Sequence, residues 1–376
     1  MQKTRVSIVD IAKKVGCTAA SVSLVLNDSP LPSQKMRQKV KRAAAQLGYV
    51  PNRMAQSLKR GRTFMLGVVM PYCGEAYVSA LLDSLSVEAA ECGYQLEIHF
   101  HRWSTSEEDR ILRLLSESRV EGIILLGSRL DYTDVPSMAA LAAQRIPVVV
   151  IGSRAGVDSQ TSIVMDRANG AEELGKYLGQ QGHRQVDYLE PVLNREAIEK
   201  PDPAITEIID ALRKGIRQFQ PDGEVGFLAT PTEHLQERRD IENHGFSAKS
   251  ADSIINLVVS NYLAKQSQAT AVVTYSLIVA WNLLAEMHHR GVRCPDDLSV
   301  ACFAVEGSGG LGAVPLTALE FSVETMARKA VSAMVSAIAE RDSAKTIKIS
   351  TRLVIRNSCQ PPFLVGEGNR LGPKSA

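Results

Sequence analysis

SIVDIAKKVGCTAASVSLVLN, Ser7 to Asn27, reads as two short helices with a tight turn between them. Ser7 caps the first helix, and Asp10 puts negative charge in its first turn. Ile8, Ile11, Ala12 and Val15 recur at helical spacing and give it one apolar face. Gly16 ends that helix and supplies the freedom the turn needs. Thr18 caps a second helix from about Ala19 to Leu26, with Val22, Val25 and Leu26 inward. Ala19, Ala20, Ser23 and Leu24 are expected outward, and Asn27 is expected to end the helix in a left-handed conformation. Such a pair places its second helix in the major groove of DNA. An ordinary helical hairpin fits the same pattern, so the flanking charge has to decide.

Residues 1–62 hold 13 Lys or Arg against 2 Asp or Glu, a net of +11. The remaining chain holds 30 against 39, a net of −9, which the whole-chain value of +2 conceals. A small basic head on an acidic body is the electrostatic footprint of a nucleic-acid binder. At 376 residues the chain should form two or three domains with ample core. No apolar run is long enough to span a bilayer, and no signal peptide precedes the basic start, so a cytoplasmic protein without a membrane partner is expected. The six cysteines (Cys17, Cys73, Cys92, Cys294, Cys302, Cys359) are scattered without metal-ligand spacing and read as reduced.

Ser33 caps a third helix, roughly Gln34 to Leu47, with an inner stripe of Met36, Val40, Ala43, Ala44 and Leu47. Pro51 and Asn52 lead into a helix-like stretch, Arg53 to Lys59, which is too short and coreless to be stable alone. From residue 63 to 164, continuous β-branched runs alternate with amphipathic helices, and the alternation restarts at Gly170. That pattern gives an α/β fold of two doubly wound parallel-sheet lobes, with a cleft at the strand C-terminal ends. Leu316–Phe321 is expected to return toward the first lobe, and Ile347–Ile355 to form one closing extended stretch.

The segments LGYVPNRMAQSLKRGRT, LGVVMP, GYQLEI, VEGIILLGS, IPVVVIGS, GHRQV, GVRCPDDLSV and PLTALEF follow the head motif in order. Together they resemble a LacI-family transcription regulator from about Val6 to Cys359. The resemblance implies an all-α helix-turn-helix domain at 1–50, a hinge helix and linker at 51–62, and a periplasmic-binding-protein-like core at 63–360. The first lobe would take about 63–164 and 305–325, the second about 165–304 and 326–360, and 361–376 would be a loose tail. It further implies a homodimeric repressor on a pseudo-palindromic operator, modulated by a small-molecule effector, with no cofactor. DNA contacts are expected from Ser7, Thr18, Ala19, Ala20, Ser21, Ser23, Leu24 and Asn27. In the hinge they are expected from Asn52, Arg53, Ala55, Gln56, Leu58 and Lys59, where Leu58 matches a leucine that wedges into the minor groove. Ala19, Ala20 and Leu24 cannot make bidentate hydrogen bonds to base edges but can touch thymine methyls.

No acid–base, nucleophilic or metal-binding constellation stands out, so an enzyme is not expected. Gly307–Gly312 is glycine-rich but lacks a following phosphate-binding lysine, and it reads as a flexible loop at a lobe crossing. The cleft departs from its family. Leu212, Tyr275, Ala304, Val305 and Phe321 stand where the family commonly places groups that hydrogen-bond sugar hydroxyls, and an unmatched buried hydroxyl costs about 1–3 kcal/mol. The remaining cleft candidates are Tyr72, Tyr77, Asp166, Arg167, Arg213, Thr274, Tyr275, Trp281 and Phe321. They suit an aromatic, acidic or zwitterionic effector better than a neutral sugar. The alternative is a regulator with a decayed pocket, controlled by a protein partner or by no effector.

Overall fold

The computed structural model describes residues 6–27, 29–49, 62–72, 76–102, 104–126, 135–152, 160–191, 203–228, 248–265, 267–339 and 344–362. The hinge residues Asn52, Arg53, Ala55, Gln56, Leu58 and Lys59, together with Cys73 and the tail from 363, lie outside the described residues. Contacts between Cα atoms divide the chain into Met1–Thr63 and Phe64–Ala376.

In the head, α1 (Ile8–Val15), α2 (Ala19–Leu26) and α3 (Gln34–Leu47) close around Ile11, Ala12, Val22, Val25, Val40, Ala43 and Ala44. Each helix contributes one stripe at helical spacing, so a small core is complete with three short helices.

The larger unit opens with β1 (Met65–Met70), α4 (Ala76–Glu91), β2 (Gln95–Phe100), α5 (Thr105–Glu117) and β3 (Gly122–Leu126). α6 (Pro136–Ala143), β4 (Val148–Ile151) and β5 (Thr161–Asp166) follow. The second lobe takes α7 (Arg167–Gln181), β6 (Gln185–Leu189), α8 (Pro203–Arg217), β7 (Glu224–Leu228) and α9 (Ala248–Ala264). It continues with β8 (Ala271–Thr274), α10 (Leu277–His289), β9 (Ser299–Val305) and β10 (Thr317–Phe321). The chain returns to the first lobe for α11 (Val323–Ile338) and β11 (Thr346–Ser350), then closes the second with β12 (Arg352–Val354). The sheet orders are β11-β5-β4-β3-β1-β2 and β12-β10-β9-β8-β6-β7, parallel except for β12 against β10.

The central strands β1, β3 and β4 of the first sheet are buried almost throughout and lack polar alternation, whereas its edge strands β2 and β11 alternate. In β1, Leu66, Val68 and Met70 join the α4–α11 cluster, while Val69 joins the α5–α6 cluster. In the second lobe, α7 and α8 meet backbone to backbone. A Cβ on Gly215 would stand 2.2 Å from the Glu172 carbonyl oxygen, and one on Gly175 would stand 2.3 Å from that of Leu212. Glycine is needed at both places for close approach.

Three expectations about the lobes are corrected. First, β10 does not return to the first lobe; it pairs in parallel with β9, Thr317 opposite Ala301 and Phe321 opposite Val305. Residues 305–321 therefore stay with the second sheet, while α11, expected in the second lobe, packs Met326, Ala327, Ala330, Val331 and Met334 into the first. Second, 347–355 is not one stretch. β11 pairs with β5 and β12 with β10, with Thr351 alone between them. Third, the 307–312 loop lies between β9 and β10 within the second lobe rather than at a crossing. It is held there by Glu320, which accepts from the Gly307 N–H at 3.0 Å and pairs with Arg356 at 2.5 Å.

The lobes are thus joined at three places. β5 ends at Asp166 and α7 starts at Arg167; Ser322 alone separates β10 from α11; Thr351 alone separates β11 from β12. Thr351 Oγ1 donates to the Asp166 carbonyl at 3.3 Å, which ties the first crossing to the third.

Candidate nucleic-acid interface and effector cleft

In the head, the Ser7 Oγ accepts from the Asp10 N–H at 3.4 Å, and the Asp10 carboxylate accepts from the Ser7 N–H at 2.9 Å. Those bonds hold the Asp10 carboxyl below its ordinary pKa, the backbone bond from Ser7 contributing most. Ser7 also donates its hydroxyl to Asp10 at 2.7 Å, so the residue is engaged in its own cap. Gly16 turns the chain at φ 74°. Thr18 Oγ1 accepts from the Ser21 N–H at 3.1 Å and starts α2.

The outward face of α2 carries Ala20 and Leu24, one turn apart, with Leu24 39% exposed. Thr18 is exposed, and Ser21 and Ser23 are half-buried. Two expectations change here. Ala19 packs against the head core rather than facing out. Asn27 is not left-handed; at φ −100° and ψ 16° its Nδ2 donates back to the Ser23 carbonyl at 2.7 Å. A side-chain bond to the helix end replaces the backbone device.

Lys13, Lys14, Lys35, Lys39, Lys41 and Arg42 are exposed on α1 and α3. Arg37 is used differently: Nε donates to the Pro32 carbonyl at 3.2 Å and its terminal nitrogen to the Ser29 carbonyl, so it closes the α2–α3 loop. The head thus exposes Ala20 and Leu24 on α2 and those exposed cations on α1 and α3.

In the core, α7 begins where β5 ends and runs back along the second sheet. The C-terminal edge of the first sheet therefore meets the C-terminal edge of the second at Asp166–Arg167, where a cleft between doubly wound lobes is expected. At the second lobe's edge, Arg167 is half-buried. Its guanidinium carbon lies 4.9 Å from the Tyr275 ring centre and 5.8 Å from that of Phe303. Tyr188 donates its hydroxyl to Glu190 at 2.6 Å beside it. Burial opposes the charge on Arg167, but Tyr275, Tyr188 and Glu190 outweigh it, and its pKa is raised above the ordinary guanidinium value. Burial, then the neighbouring Glu190, pushes Tyr188 well above the ordinary phenol.

The other candidates divide. Phe321 is buried in the first lobe's cluster although its strand belongs to the second sheet, and Tyr77 meets it edge-on at 5.5 Å and 74°. Tyr77 is further held by its hydroxyl, 3.4 Å from Met326 Sδ. Tyr72, at the end of β1, packs in the opposite direction, onto the second lobe's α9–α10 cluster. Thr274 is buried and donates its hydroxyl to the Ser276 carbonyl at 3.0 Å. Asp166 lies 3.7 Å from Lys348 of β11. Trp281 packs on the α9–α10 cluster, its indole nitrogen beside Gly312.

Arg213 is not brought to the cleft. It pairs with Asp210 at 2.6 Å and with Glu224 at 3.3 Å, at the start of β7 and so at the opposite end of the second sheet. Leu212 is buried between α7 and α8. Glu190, Tyr188 and Phe303 join the site without having been expected. Only Glu190 carried a signal, a charge directly after the apolar strand that became β6.

Comparison with known proteins covers both units. The model for bacterial regulatory proteins of the lacI family matches residues 7–52. The one for periplasmic binding proteins and the sugar binding domain of the LacI family matches 63–200, and the periplasmic binding protein-like domain matches 176–359. The HTH-type transcriptional regulator DegA of Bacillus subtilis (strain 168) is 25% identical over 358 residues, 95% of this chain and 99% of that protein. The HTH-type transcriptional repressor PurR of Mannheimia succiniciproducens is 24% identical over 356 residues, 94% of this chain and 98% of that protein. Among solved structures, the lac repressor dimer bound to operator and the anti-inducer ONPF has a TM-score of 0.76 at 20% identity, covering 95% of this chain and 100% of that one. A CelR–cellobiose complex has a TM-score of 0.61 at 22% identity, covering 94% of this chain and 100% of that one.

Proposed function

The chain belongs to the LacI family of bacterial regulatory proteins, and from that membership we infer a DNA-binding transcriptional repressor whose core modulates operator affinity on binding a small molecule. The observation that carries the DNA half is α2: capped by Thr18, packed through Val22 and Val25, and presenting Ala20 and Leu24 in a head of net charge +11. Its readout leans on thymine methyls and on DNA deformability. The hinge stretch Asn52–Lys59, with Leu58 as minor-groove wedge, adds the central contact. The regulator works in the cytoplasm, on the nucleoid when operator-bound. No helix of the described residues is long and apolar enough to cross a membrane.

A homodimer fits this reading. β2 is the edge strand of the first sheet, and Ile98 and Phe100 on it, with Val87 on α4, are exposed large apolar side chains. Pairing of two such faces would bury them and bring two heads to one pseudo-palindromic site.

The effector half rests on the cleft at the second sheet's C-terminal edge. Solved relatives hold cellobiose in one case and ribose in another. In this chain Thr274 spends its hydroxyl on backbone, and Phe321 and Val305 pack into the first lobe's cluster. That filling favours a second reading, a core that takes no effector.

The test is to sequence genomic DNA retained by the purified full chain, then measure affinity for the enriched site against salt. A pseudo-palindrome is expected, with a steep fall of log affinity with log salt as phosphate contacts release counterions. A chain beginning at Thr63 should lose this binding. If it bound DNA as well as the full chain, the head would not be the interface.

A further inference from the structure

We propose that the effector is a small monocarboxylate with an apolar body, its carboxylate held by Arg167. This rests on the reading of the core as an effector-binding module and names the class of molecule it takes. Four observations converge on it. Arg167 opens α7 at the meeting of the two sheets' C-terminal edges, so its side chain stands where a ligand between the lobes would be. Its guanidinium lies over Tyr275 and Phe303. A guanidinium carries its N–H donors in one plane, the direction from which a carboxylate binds with two parallel hydrogen bonds, and here Tyr275 also bonds to it. Among the described residues no carboxylate comes within the 4.0 Å of an ion pair with it, although Glu190 acts on it through the field. Its positive charge is thus buried in part without a direct counter-ion.

One guanidinium supplies one positive charge, which a monoanion matches, while a dianion such as phosphate would keep a charge unmatched beside Glu190. The half-buried Tyr275 ring beside the guanidinium offers an apolar face to the body of the ligand. An apolar body packs on that face without hydroxyls that need partners. The helix end adds to the field. Asp166 makes no side-chain cap on α7, and the first-turn N–H groups favour an anion over a neutral group.

The test uses the full-length protein and matched pairs. Benzoate and hexanoate are titrated by calorimetry against benzamide and hexanamide, which keep shape and lose charge, with ribose, cellobiose and inorganic phosphate alongside. At least one acid should bind about tenfold or more tightly than its amide, the size expected for charge-assisted hydrogen bonds. Arg167→Met, which keeps bulk, should remove that preference, and Arg167→Lys should retain part of it. If Arg167→Met fails to fold by circular dichroism, the acid–amide comparison on the unaltered protein decides alone. Equal binding of acid and amide, or no binding of any acid at millimolar concentration, overturns the proposal. So does a sugar or phosphate that binds tighter than every acid. Operator release is read in parallel. Release by a sugar alone would sink the carboxylate and leave the effector-binding core intact. An acid that binds through Arg167 without moving operator affinity would do the reverse.

Discussion

Phe321 offers a quantitative check on how the two lobes are joined. Its backbone lies in the second sheet, paired with Val305, yet its side chain, 6% exposed, is part of the first lobe's core. Phe321→Ala should cost about 3–5 kcal/mol, the usual range for a buried aromatic cut to alanine. Part of that loss is specific to Tyr77. At 5.5 Å and 74° the rings meet edge to face, a geometry worth about 0.5–1.5 kcal/mol beyond burial. A double-mutant cycle isolates it: Phe321→Ala, Tyr77→Ala and the pair, each unfolded in urea and followed by far-ultraviolet circular dichroism. The cycle subtracts the Tyr77 contact with Met326, which both backgrounds lose. A coupling within the quoted range is expected. Additivity to within about 0.3–0.5 kcal/mol would refute the inter-lobe ring contact. A loss below about 1 kcal/mol for Phe321→Ala would refute its place in the core.

Asp187 is buried on β6, bonded by Ser267 at 2.5 Å, and burial raises its pKa above the ordinary carboxylate value. A raised acid favours its protonated form in the folded state, so stability is lost as pH rises from the unfolded value through the folded one. Asp187→Asn should therefore raise the thermal midpoint at pH 8 and converge with the parent near pH 4; a midpoint gain equal at both would contradict this. Replacing operator thymines by uracil should weaken binding at one or more half-site positions by about 0.8 kcal/mol per buried methyl, read by fluorescence anisotropy; indifference at every position would exclude apolar readout by Ala20 and Leu24. Gly215→Ala should lower the urea midpoint although alanine favours a helix by about 1 kcal/mol, because its Cβ meets backbone 2.2 Å away; a raised midpoint would show that α7 and α8 can separate freely.

The head was legible almost to the residue because its signals are local. Ser7, Thr18 and Ser33 each lie within three residues of the N–H they accept, and Gly16 and Gly48 take the left-handed caps their sequence positions suggest. The two lobes were legible from periodicity. Which lobe β10 joins was not. Thr-Ala-Leu-Glu-Phe is apolar enough for a buried strand in either sheet, and Phe321 in fact serves both, one by backbone and one by side chain. Arg213 shows a limit of another kind. It follows Leu212 by one residue, and one residue turns a helix by about 100°, enough to carry it from the α7 seam to Asp210 and Glu224. Tyr188 and Phe303 read as ordinary strand residues until the fold sets them around Arg167.

The three crossings have a mechanical consequence. One residue spans at most about 3.3–3.6 Å, and Ser322 and Thr351 are each the whole length of their tether, while Asp166 and Arg167 have none. The lobes cannot slide apart or shift sideways without breaking a strand end. The tethers lie on neighbouring strands, β5 beside β11 and β10 beside β12, so they act like the pins of one axle. What freedom is left to the two lobes is rotation about the line of these tethers. Lengthening one tether by two or three glycines would add slack to that linkage.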